Sequence, residues 1–205
     1  MMHVNRYFGD FWNKQDRRVQ MTDSFGPVMQ LGYIVEDIDK AALDWVERVG
    51  AGPFYRLDSI VLDQYSYRGT ATQLELSLCF GYWNDVQIEL VRPLSTTDSL
   101  YTRALRDCPG KLNHMATLVT DLEGVLNQHK LHDRIVQSGG MPQGQKFVYL
   151  DEYLPGAIHL ELIQAPAATL QFFTMMKKVA ANWQGWKPVR DIASIGQDFS
   201  ELKAE

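Results

Sequence analysis

The feature that most constrains the fold of this chain is an internal repeat. The segment QLGYIVED, which begins at Gln30, matches the segment HMATLVTD, which begins at His114, in hydrophobic pattern and in its final aspartate. The segments IELV at Ile88 and LELI at Leu160 match in the same way. The offsets are 114 − 30 = 84 and 160 − 88 = 72, so the second copy is more compact by 84 − 72 = 12 residues. A repeat of this kind indicates two copies of one supersecondary unit.

The first copy is predicted to contain a strand, a helix and three further strands. A β-rich segment at residues 28–35 precedes a helix that Asp37 or Asp39 can cap and that Gly50 ends. Strand patterns follow at residues 54–62, 72–80 and 86–91. These patterns define a β-α-β-β-β unit.

The second copy repeats this order. A strand at residues 112–119 precedes a helix that begins with a capping box from Thr120 to Glu123. The helical region is expected to end at Gly139 and Gly140, because paired glycines disfavour helix. Further strands are predicted at residues 146–150 and 157–163.

We therefore predict an α+β fold in which two β-α-β-β-β modules form a curved sheet around a central cavity. The predicted organisation is an N-terminal extension (1–26), a first module (27–94), a connector (95–110), a second module (111–166) and a C-terminal helical tail (167–205). Short helices are expected near residues 7–14 and 99–106. The tail has an apolar stripe that needs a packing partner, formed by Leu170, Phe173, Met176 and Val179.

Composition and charge exclude several function classes. Hydrophobic residues make up 45% and charged residues 22% of the 205 residues, which is typical of a globular protein. With 20 Lys and Arg against 25 Asp and Glu, no basic face is required, so we expect no nucleic-acid partner. No apolar run approaches the ~18 residues of a membrane span. Two cysteines and an N-terminus interrupted by charges favour a cytoplasmic protein without a secretory signal.

Four polar residues occupy equivalent strand positions in the two copies. Gln30 and His114 lie on the first strands, and Glu89 and Glu161 lie on the last strands. Burying an ionised carboxylate is costly unless it is paired or binds a metal. Because the set offers nitrogen and oxygen donors without cysteine, it suits a catalytic divalent ion, with Zn, Ni, Co, Mn and Mg all left open.

These residues and their motifs resemble the vicinal oxygen chelate superfamily, which includes glyoxalase I, methylmalonyl-CoA epimerase, extradiol dioxygenases and bleomycin-resistance proteins. The resemblance covers roughly residues 28–165, and its clearest motifs are QLGYIVEDIDKA, QIELVRPL, LNHMATLVTDLE and IHLELIQAP. It implies a metal between the halves, held by Gln30, Glu89, His114 and Glu161. The order Gln, Glu, His, Glu resembles one form of glyoxalase I. Epimerases usually have His at the first position, and extradiol dioxygenases need two His and one carboxylate.

Another carboxylate resembles the second catalytic acid of the epimerases. Glu75 lies within QLELSL, and strand alternation puts it on the same face as Gln73, Ser77 and Cys79. The resemblance implies that Glu75 and a base, Glu161 or Glu89, move a proton on and off the carbon beside a carbonyl.

Further residues bear on the substrate pocket. His159, Gln73 and Tyr67 are expected to line it. Ile34 and Pro93 stand where glyoxalase I has the Arg and Asn that bind glutathione, so a glutathione adduct is not the expected substrate.

The leading hypothesis is a metal-dependent isomerase or lyase that acts on a small carbonyl compound or thioester. The alternative is a metal-free small-molecule binding protein like the bleomycin-resistance members, and retention of all four ligand-type residues argues against it. A ring-cleaving dioxygenase is a third hypothesis, which Gln30 disfavours. Superfamily members are commonly dimeric, so we also expect a homodimer.

Overall fold

The computed structural model describes residues 25–202, so the predicted helix near residues 7–14 lies outside the described residues. In chain order the elements are β1 (Gln30–Ile34), α1 (Ile38–Val49), β2 (Phe54–Val61), β3 (Asp63–Tyr67), β4 (Thr70–Ala71), β5 (Glu75–Trp83), β6 (Val86–Pro93), α2 (Leu100–Asp107), β7 (Leu112–Leu118), α3 (Leu122–His129), β8 (Ile135–Gly140), β9 (Lys146–Leu154), β10 (Ile158–Gln164), α4 (Ala167–Ala181), β11 (Val189–Asp191) and α5 (Ile195–Glu201). Two 3₁₀ turns, His132–Arg134 and Ile192–Ser194, precede β8 and α5.

The strands of the described chain form one sheet in the order β11-β2-β5-β6-β1-β7-β10-β9-β8-β3-β4. Its centre is the antiparallel pair β1–β7, and the order β2-β5-β6-β1 on one side is repeated as β8-β9-β10-β7 on the other. The α+β prediction of two β-α-β-β-β units in a curved sheet is therefore confirmed. The residue boundaries proposed for the modules stay a prediction.

The sheet curves until its two sides approach each other. A single residue, Leu62, separates β2 from β3. Nevertheless β2 pairs with β5 on one side of the sheet, and β3 pairs with β8 on the other. Because one short stretch of chain takes part in both sides, the sheet must wrap around the space between them. The sequence alone does not predict this crossing of the chain at Leu62, from β2 on one side of the sheet to β3 on the other.

Two local predictions in the second copy were wrong. The helical region does not reach Gly139, because α3 ends at His129. Its C-cap, Lys130, has a left-handed φ of 53°, and residues from Ile135 onward pair with β9 as strand β8. The N-cap of α3 is Asp121 rather than Thr120: its side chain accepts the backbone N–H of Gly124. In the first copy Asp37 caps α1 and Gly50 ends it, as predicted.

The helices divide the core into an outer and an inner part. On the outer face, α1 packs against β5 and β6, and α3 packs against β9 and β10. The inner face of the sheet carries the largest cluster, to which α2 and α4 also contribute. Alternate residues of the strands therefore face either a covering helix or the central cavity.

The predicted tail is a helix followed by a further strand and helix. Phe173, Met176 and Val179 of α4 pack on the inner cluster, whereas Leu170 of the predicted stripe is exposed. After α4, β11 adds to the edge of the sheet beside β2. In the described part of the chain, no helix is both long and apolar enough to cross a bilayer.

The segment after α4 is attached to the sheet by a partly buried ion pair. Arg190 Nη1 lies 2.9 Å from Asp198 Oδ2, and the Tyr55 hydroxyl donates to the same oxygen at 2.8 Å. Because Tyr55 belongs to β2 and Asp198 to α5, these bonds fix the segment after α4 against the first module.

Candidate functional site

Three of the predicted ligands converge at the centre of the sheet. They are Glu89 on β6, His114 on β7 and Glu161 on β10, and one donor atom from each lies within 4.8 Å of the other two. His114 Nε2 is 3.0 Å from Glu89 Oε2 and 3.5 Å from Glu161 Oε2. The side chain of His114 is fully buried, and those of Glu89 and Glu161 are 12% and 6% exposed.

Strand register explains this convergence. Gly32 of β1 is aligned with Glu89 on one side and with His114 on the other. In the same way Ala116 of β7 is aligned with Gln30 and with Glu161. Each small residue thus lies between two of the four predicted ligands.

The glycine has a steric role. A Cβ built on Gly32 would overlap the imidazole ring of His114, which leans across β1. Residue 32 must therefore lack a side chain for the ring to reach Glu89.

Gln30 borders the same cavity and presents a free acceptor to it. Its Nε2 donates to Gln87 Oε1 at 2.7 Å, and Gln87 Nε2 donates to the Tyr82 hydroxyl at 3.2 Å. Gln30 Oε1 is buried and has no hydrogen-bond partner among the described residues. The sequence interpretation missed Gln87, although it is the repeat counterpart of His159 at the offset 159 − 87 = 72.

The donor set fits a divalent cation. His114 Nδ1 lies 3.1 Å from Asn113 Oδ1, and Nε2 is within reach of both glutamates, so with the ring hydrogen on Nδ1 the imidazole would offer the Nε2 lone pair to a cation. Glu161 Oε2 is also buried without a hydrogen-bond partner in the described chain. Gln30 Oε1 and Glu161 Oε2 are therefore buried acceptors without a donor among the described residues, and a bound cation would stabilise them.

Two tyrosines extend the site. Tyr149 of β9 is aligned with Glu161 and hydrogen-bonds to it, and the Tyr101 hydroxyl donates to the Tyr149 hydroxyl at 2.8 Å. Burial and the charge of Glu89 raise the pKa of Glu161 well above its ordinary value, while the bond from Tyr149 acts in the opposite direction. The sequence interpretation did not include these tyrosines, and strand alternation from Phe147 in β9 is the signal for Tyr149.

The glutamates and Gln30 border a cavity of about 350 Å³. Leu76, Leu78 and Phe80 of β5 supply part of its apolar wall. Helix α4 covers it with residues that include Phe172 and Phe173, and the 3₁₀ turn after β11 contributes Ile192. A cavity with an apolar wall and a few convergent polar groups is typical of a small-molecule site.

His159 lies beside the metal donors without joining them. It is aligned with His114 and shares the face of Glu161. Its Nδ1 accepts the backbone N–H of Glu152 at 3.0 Å and lies 3.5 Å from an oxygen of Asp151. His159 is not among the described residues that border the cavity.

The structure does not bring Gln73 or Tyr67 to the cavity border either. Gln73 is exposed in the segment before β5. Tyr67 is buried in β3, and the guanidinium groups of Arg68 and Arg103 lie over its ring. Neither residue is among the described residues that border the cavity.

Glu75 is likewise separated from the glutamates. On β5 it alternates with the cavity-facing Leu76 and Leu78, so it lies on the outer face of the sheet. Its carboxylate accepts a hydrogen bond from the Ser59 hydroxyl at 2.5 Å. The epimerase-like pairing of Glu75 with Glu161 or Glu89 across one substrate is not what this geometry provides.

Comparisons with known proteins agree with this architecture. A profile of the Glyoxalase/Bleomycin resistance protein/Dioxygenase superfamily matches residues 29–149, which is more than half of the chain. The chain belongs to this superfamily. The resemblance that the sequence motifs carry is thereby confirmed.

Two solved structures illustrate how the superfamily fold is shared. A hypothetical protein from Bacillus halodurans C-125 is 14% identical with a TM-score of 0.51, over 68% of this chain and 94% of its own. Methylmalonyl-CoA epimerase from Mycobacterium tuberculosis is 18% identical with a TM-score of 0.50, over 75% of this chain and 98% of its own. At these identities the likeness concerns the fold alone. A search of curated proteins finds no significant match.

Proposed function

We propose that this protein is a metal-dependent isomerase or lyase that moves a proton at the carbon next to a carbonyl or thioester group. The observation that carries the proposal is the buried set of Glu89, His114 and Glu161, whose two glutamates border an apolar cavity. Gln30, with its unpartnered Oε1, completes the set of residues that would hold the ion.

The two glutamates are the groups suited to proton transfer. A divalent ion, when bound, would supply positive charge that favours negative charge on a carbonyl oxygen. Glu89 and Glu161 are the carboxylates among the described residues that border the cavity. One of them accepts the proton, the electron pair of the broken C–H bond moves towards the carbonyl oxygen, and a proton returned to the same or a neighbouring carbon completes an isomerisation.

The surrounding residues orient these groups and exclude water. Tyr149 holds Glu161 by a hydrogen bond, and Tyr101 holds Tyr149. The leucines and phenylalanines of the cavity wall, together with α4, keep bulk water from the reacting carbon. Electrostatic interactions are stronger in such an environment than in water.

The alternatives fit the site less well. A metal-free binding protein would leave Gln30 Oε1 and Glu161 Oε2 buried without a hydrogen-bond partner among the described residues, which is costly. A ring-cleaving dioxygenase needs a second histidine ligand. His159 accepts a backbone hydrogen bond beside the site, and Gln30 occupies the position equivalent to His114.

Metal analysis joined to isotope exchange tests the proposal. Protein purified without chelator should contain a divalent ion and should exchange a substrate α-hydrogen with deuterium from solvent, in a panel of ketones, 2-oxo aldehydes and acyl thioesters. Glu161→Gln should lose metal and lower exchange by about 10²–10⁴-fold. Glu123→Gln, the same change on the exposed surface of α3, is the matched control.

The outcomes are distinct. Wild-type protein that neither contains metal nor changes its melting temperature on addition of Zn, Ni, Co, Mn or Mg would support the binding-protein alternative. Wild-type metal content in Glu161→Gln would show that the ligand assignment is wrong.

We also propose that the protein is a homodimer. Val49 at the end of α1 and Trp83 at the end of β5 are each about two-fifths exposed and border a common crevice. Trp45 lies 6.1 Å from Trp83, measured between ring centroids, which enlarges the apolar surface. Light scattering over a range of concentrations tests the proposal, and monomeric behaviour throughout would contradict it.

A further inference from the structure

The cavity wall contains almost no charge. Apart from Glu89 and Glu161, the described residues that border it are uncharged, and most are apolar. Four phenylalanines from three elements contribute: Phe80 of β5, Phe147 of β9, and Phe172 and Phe173 of α4. Binding of a hydrocarbon ligand to such a surface is favourable by about 25 cal/mol for each Å² of apolar surface removed from water.

The cavity also has no group that would neutralise an anionic substrate. No lysine or arginine is among its described bordering residues. Glu89 and Glu161 bring two negative charges, which a divalent ion would balance without any excess of positive charge. A carboxylate or phosphate entering this cavity would therefore lose its hydration without an opposite charge, which is costly. Phosphate recognition ordinarily relies on arginine or lysine.

The size of the cavity and the residues that cover it also favour a small, uncharged ligand. Its volume of about 350 Å³ lies at the small end of the roughly 300–1,000 Å³ usual for ligand sites. Gln143, which is exposed, and Gln145, which is half-buried, border it from the turn between β8 and β9, so this turn lies at the opening. The polar groups at the opening are thus neutral amides, and α4 covers the apolar part.

We propose that the substrate is an uncharged, largely hydrocarbon carbonyl compound, such as an aryl or alicyclic ketone or aldehyde, whose carbonyl lies towards Glu89 and Glu161 and whose hydrocarbon body lies against the phenylalanines of β5, β9 and α4. This inference rests on the proposed function and makes its substrate class specific. A CoA thioester or a carboxylated carbonyl compound is accordingly a poor ligand for this chain, even though an epimerase of methylmalonyl-CoA shares its fold.

Calorimetric binding to a matched pair of ligands tests this inference without relying on turnover. The pair is 2-acetylnaphthalene and 6-acetyl-2-naphthoate, which share ring and carbonyl and differ by one carboxylate, and propionyl-CoA is the thioester probe. We expect the neutral ketone to bind at least about 10-fold more tightly than either anion, both in chelator-treated protein and after addition of Zn²⁺.

Variants of α4 show where the ligand lies. Phe172→Ala should weaken binding of 2-acetylnaphthalene several-fold, because it removes part of the apolar wall. Leu170→Ala, on the same helix but exposed and away from the cavity, should leave binding unchanged. Phe172→Arg should reverse the preference towards 6-acetyl-2-naphthoate by supplying the missing positive charge. Melting curves confirm that each variant is folded.

The results separate this inference from the proposed function. Equal or tighter binding of the naphthoate or of propionyl-CoA overturns the substrate class, as does failure of the neutral ketone to bind up to its solubility limit. Neither result bears on the proposed function, which metal content and solvent exchange test separately. Conversely, a clear preference for the ketone in a protein without metal or exchange supports the cavity argument and contradicts the proposed enzyme.

Discussion

The two halves of this protein share one strand plan and contribute different chemistry to the site. In the first half Glu89 is aligned with Gly32, and in the second half Glu161 is aligned with Ala116. At the equivalent positions on the first strands, one half places the amide of Gln30 and the other the imidazole of His114. The stronger ligand type therefore comes from the second half.

The neighbours of the two glutamates differ as well. Phe80 is the residue aligned with Glu89, and Tyr149 is the residue aligned with Glu161. Glu161 therefore has a phenol in its own half, whereas Glu89 contacts His114 of the other half. At the position where the second half places a phenol beside its glutamate, the first half therefore places Phe80, which belongs to the apolar wall of the cavity.

The halves also differ where their second and third strands connect. Residues 62–74 separate β2 from β5 and include the β3–β4 hairpin, while residues 141–145 separate β8 from β9. The longer connection crosses to β8 and closes the curved sheet. The shorter one is the turn at the opening of the cavity. Most of the difference in length between the copies thus serves to enclose the cavity.

Substituting each of the two small residues, Gly32 and Ala116, by the other should reveal the largest difference between the halves, in metal affinity and in stability. Gly32→Ala should displace the His114 ring, lower metal affinity about 10- to 100-fold, and destabilise the fold by about 1–3 kcal/mol. The counterpart Ala116→Gly should cost about 0.5–1 kcal/mol and leave metal affinity unchanged. Metal titration and denaturant unfolding measure both effects. Equal metal affinities in the two variants would contradict the steric role of Gly32.

Removing the phenol that lies beside Glu161 but not beside Glu89 should have the second-largest effect on metal affinity and turnover. Tyr149→Phe removes the hydrogen bond to Glu161 and should reduce metal affinity or turnover about 10-fold, as is usual for partners of metal ligands. Tyr65→Phe is the control, since its hydroxyl is also buried and donates to Gln137 away from the cavity. If both variants behave alike, the polar network of the second half is structural and not part of the site.

The attachment of the C-terminal segment to the first half should have a smaller, pH-dependent effect. Burial raises the pKa of Asp198, but the bonds from Arg190 and Tyr55 lower it more, so it lies below its ordinary value of 3.8. A carboxyl with a lowered pKa stabilises the fold above that ordinary value, and the stabilisation is lost as pH falls through the folded pKa. Asp198→Asn should cost about 1–3 kcal/mol near neutral pH, and this cost should shrink as pH falls below 3.8.

Thermal unfolding across pH checks this expectation. Asp98→Asn removes an exposed ion pair with Arg103 and should leave the melting temperature near neutral pH unchanged. A cost of Asp198→Asn that does not diminish in acid would show that the substitution acts through packing and not through the ion pair.

Much of this architecture follows from sequence periodicity. Equivalent positions in two repeats must occupy equivalent places in a pseudo-symmetric sheet, so the convergence of Glu89, His114 and Glu161 could be predicted without coordinates. Helix ends at Asp37 and Gly50 follow from local backbone chemistry for the same reason.

The rest depends on long-range packing that periodicity does not encode. The crossing at Leu62 is fixed by pairing of β3 with a strand some 70 residues later, about which neither segment carries a local signal. Local sequence predicts helix rather than strand at Ile135, because the paired glycines at 139 and 140 are typical of a helix end. The cover provided by α4 and the hydrogen bond from Tyr149 to Glu161 are likewise consequences of tertiary packing.

Glu75 is the position where sequence resemblance and geometry disagree, and Glu75→Gln should have the smallest effect. The resemblance predicts loss of turnover, because it makes Glu75 the second catalytic acid. The geometry predicts wild-type metal content and wild-type exchange, because the carboxylate lies on the outer face of β5 and is bonded to Ser59. Single-turnover exchange beside Ser59→Ala, which removes the hydrogen bond but not the charge, decides between them. A fall of about 10²-fold or more in Glu75→Gln alone would require Glu75 to reach the substrate, and hence a different arrangement of β5 in the working protein.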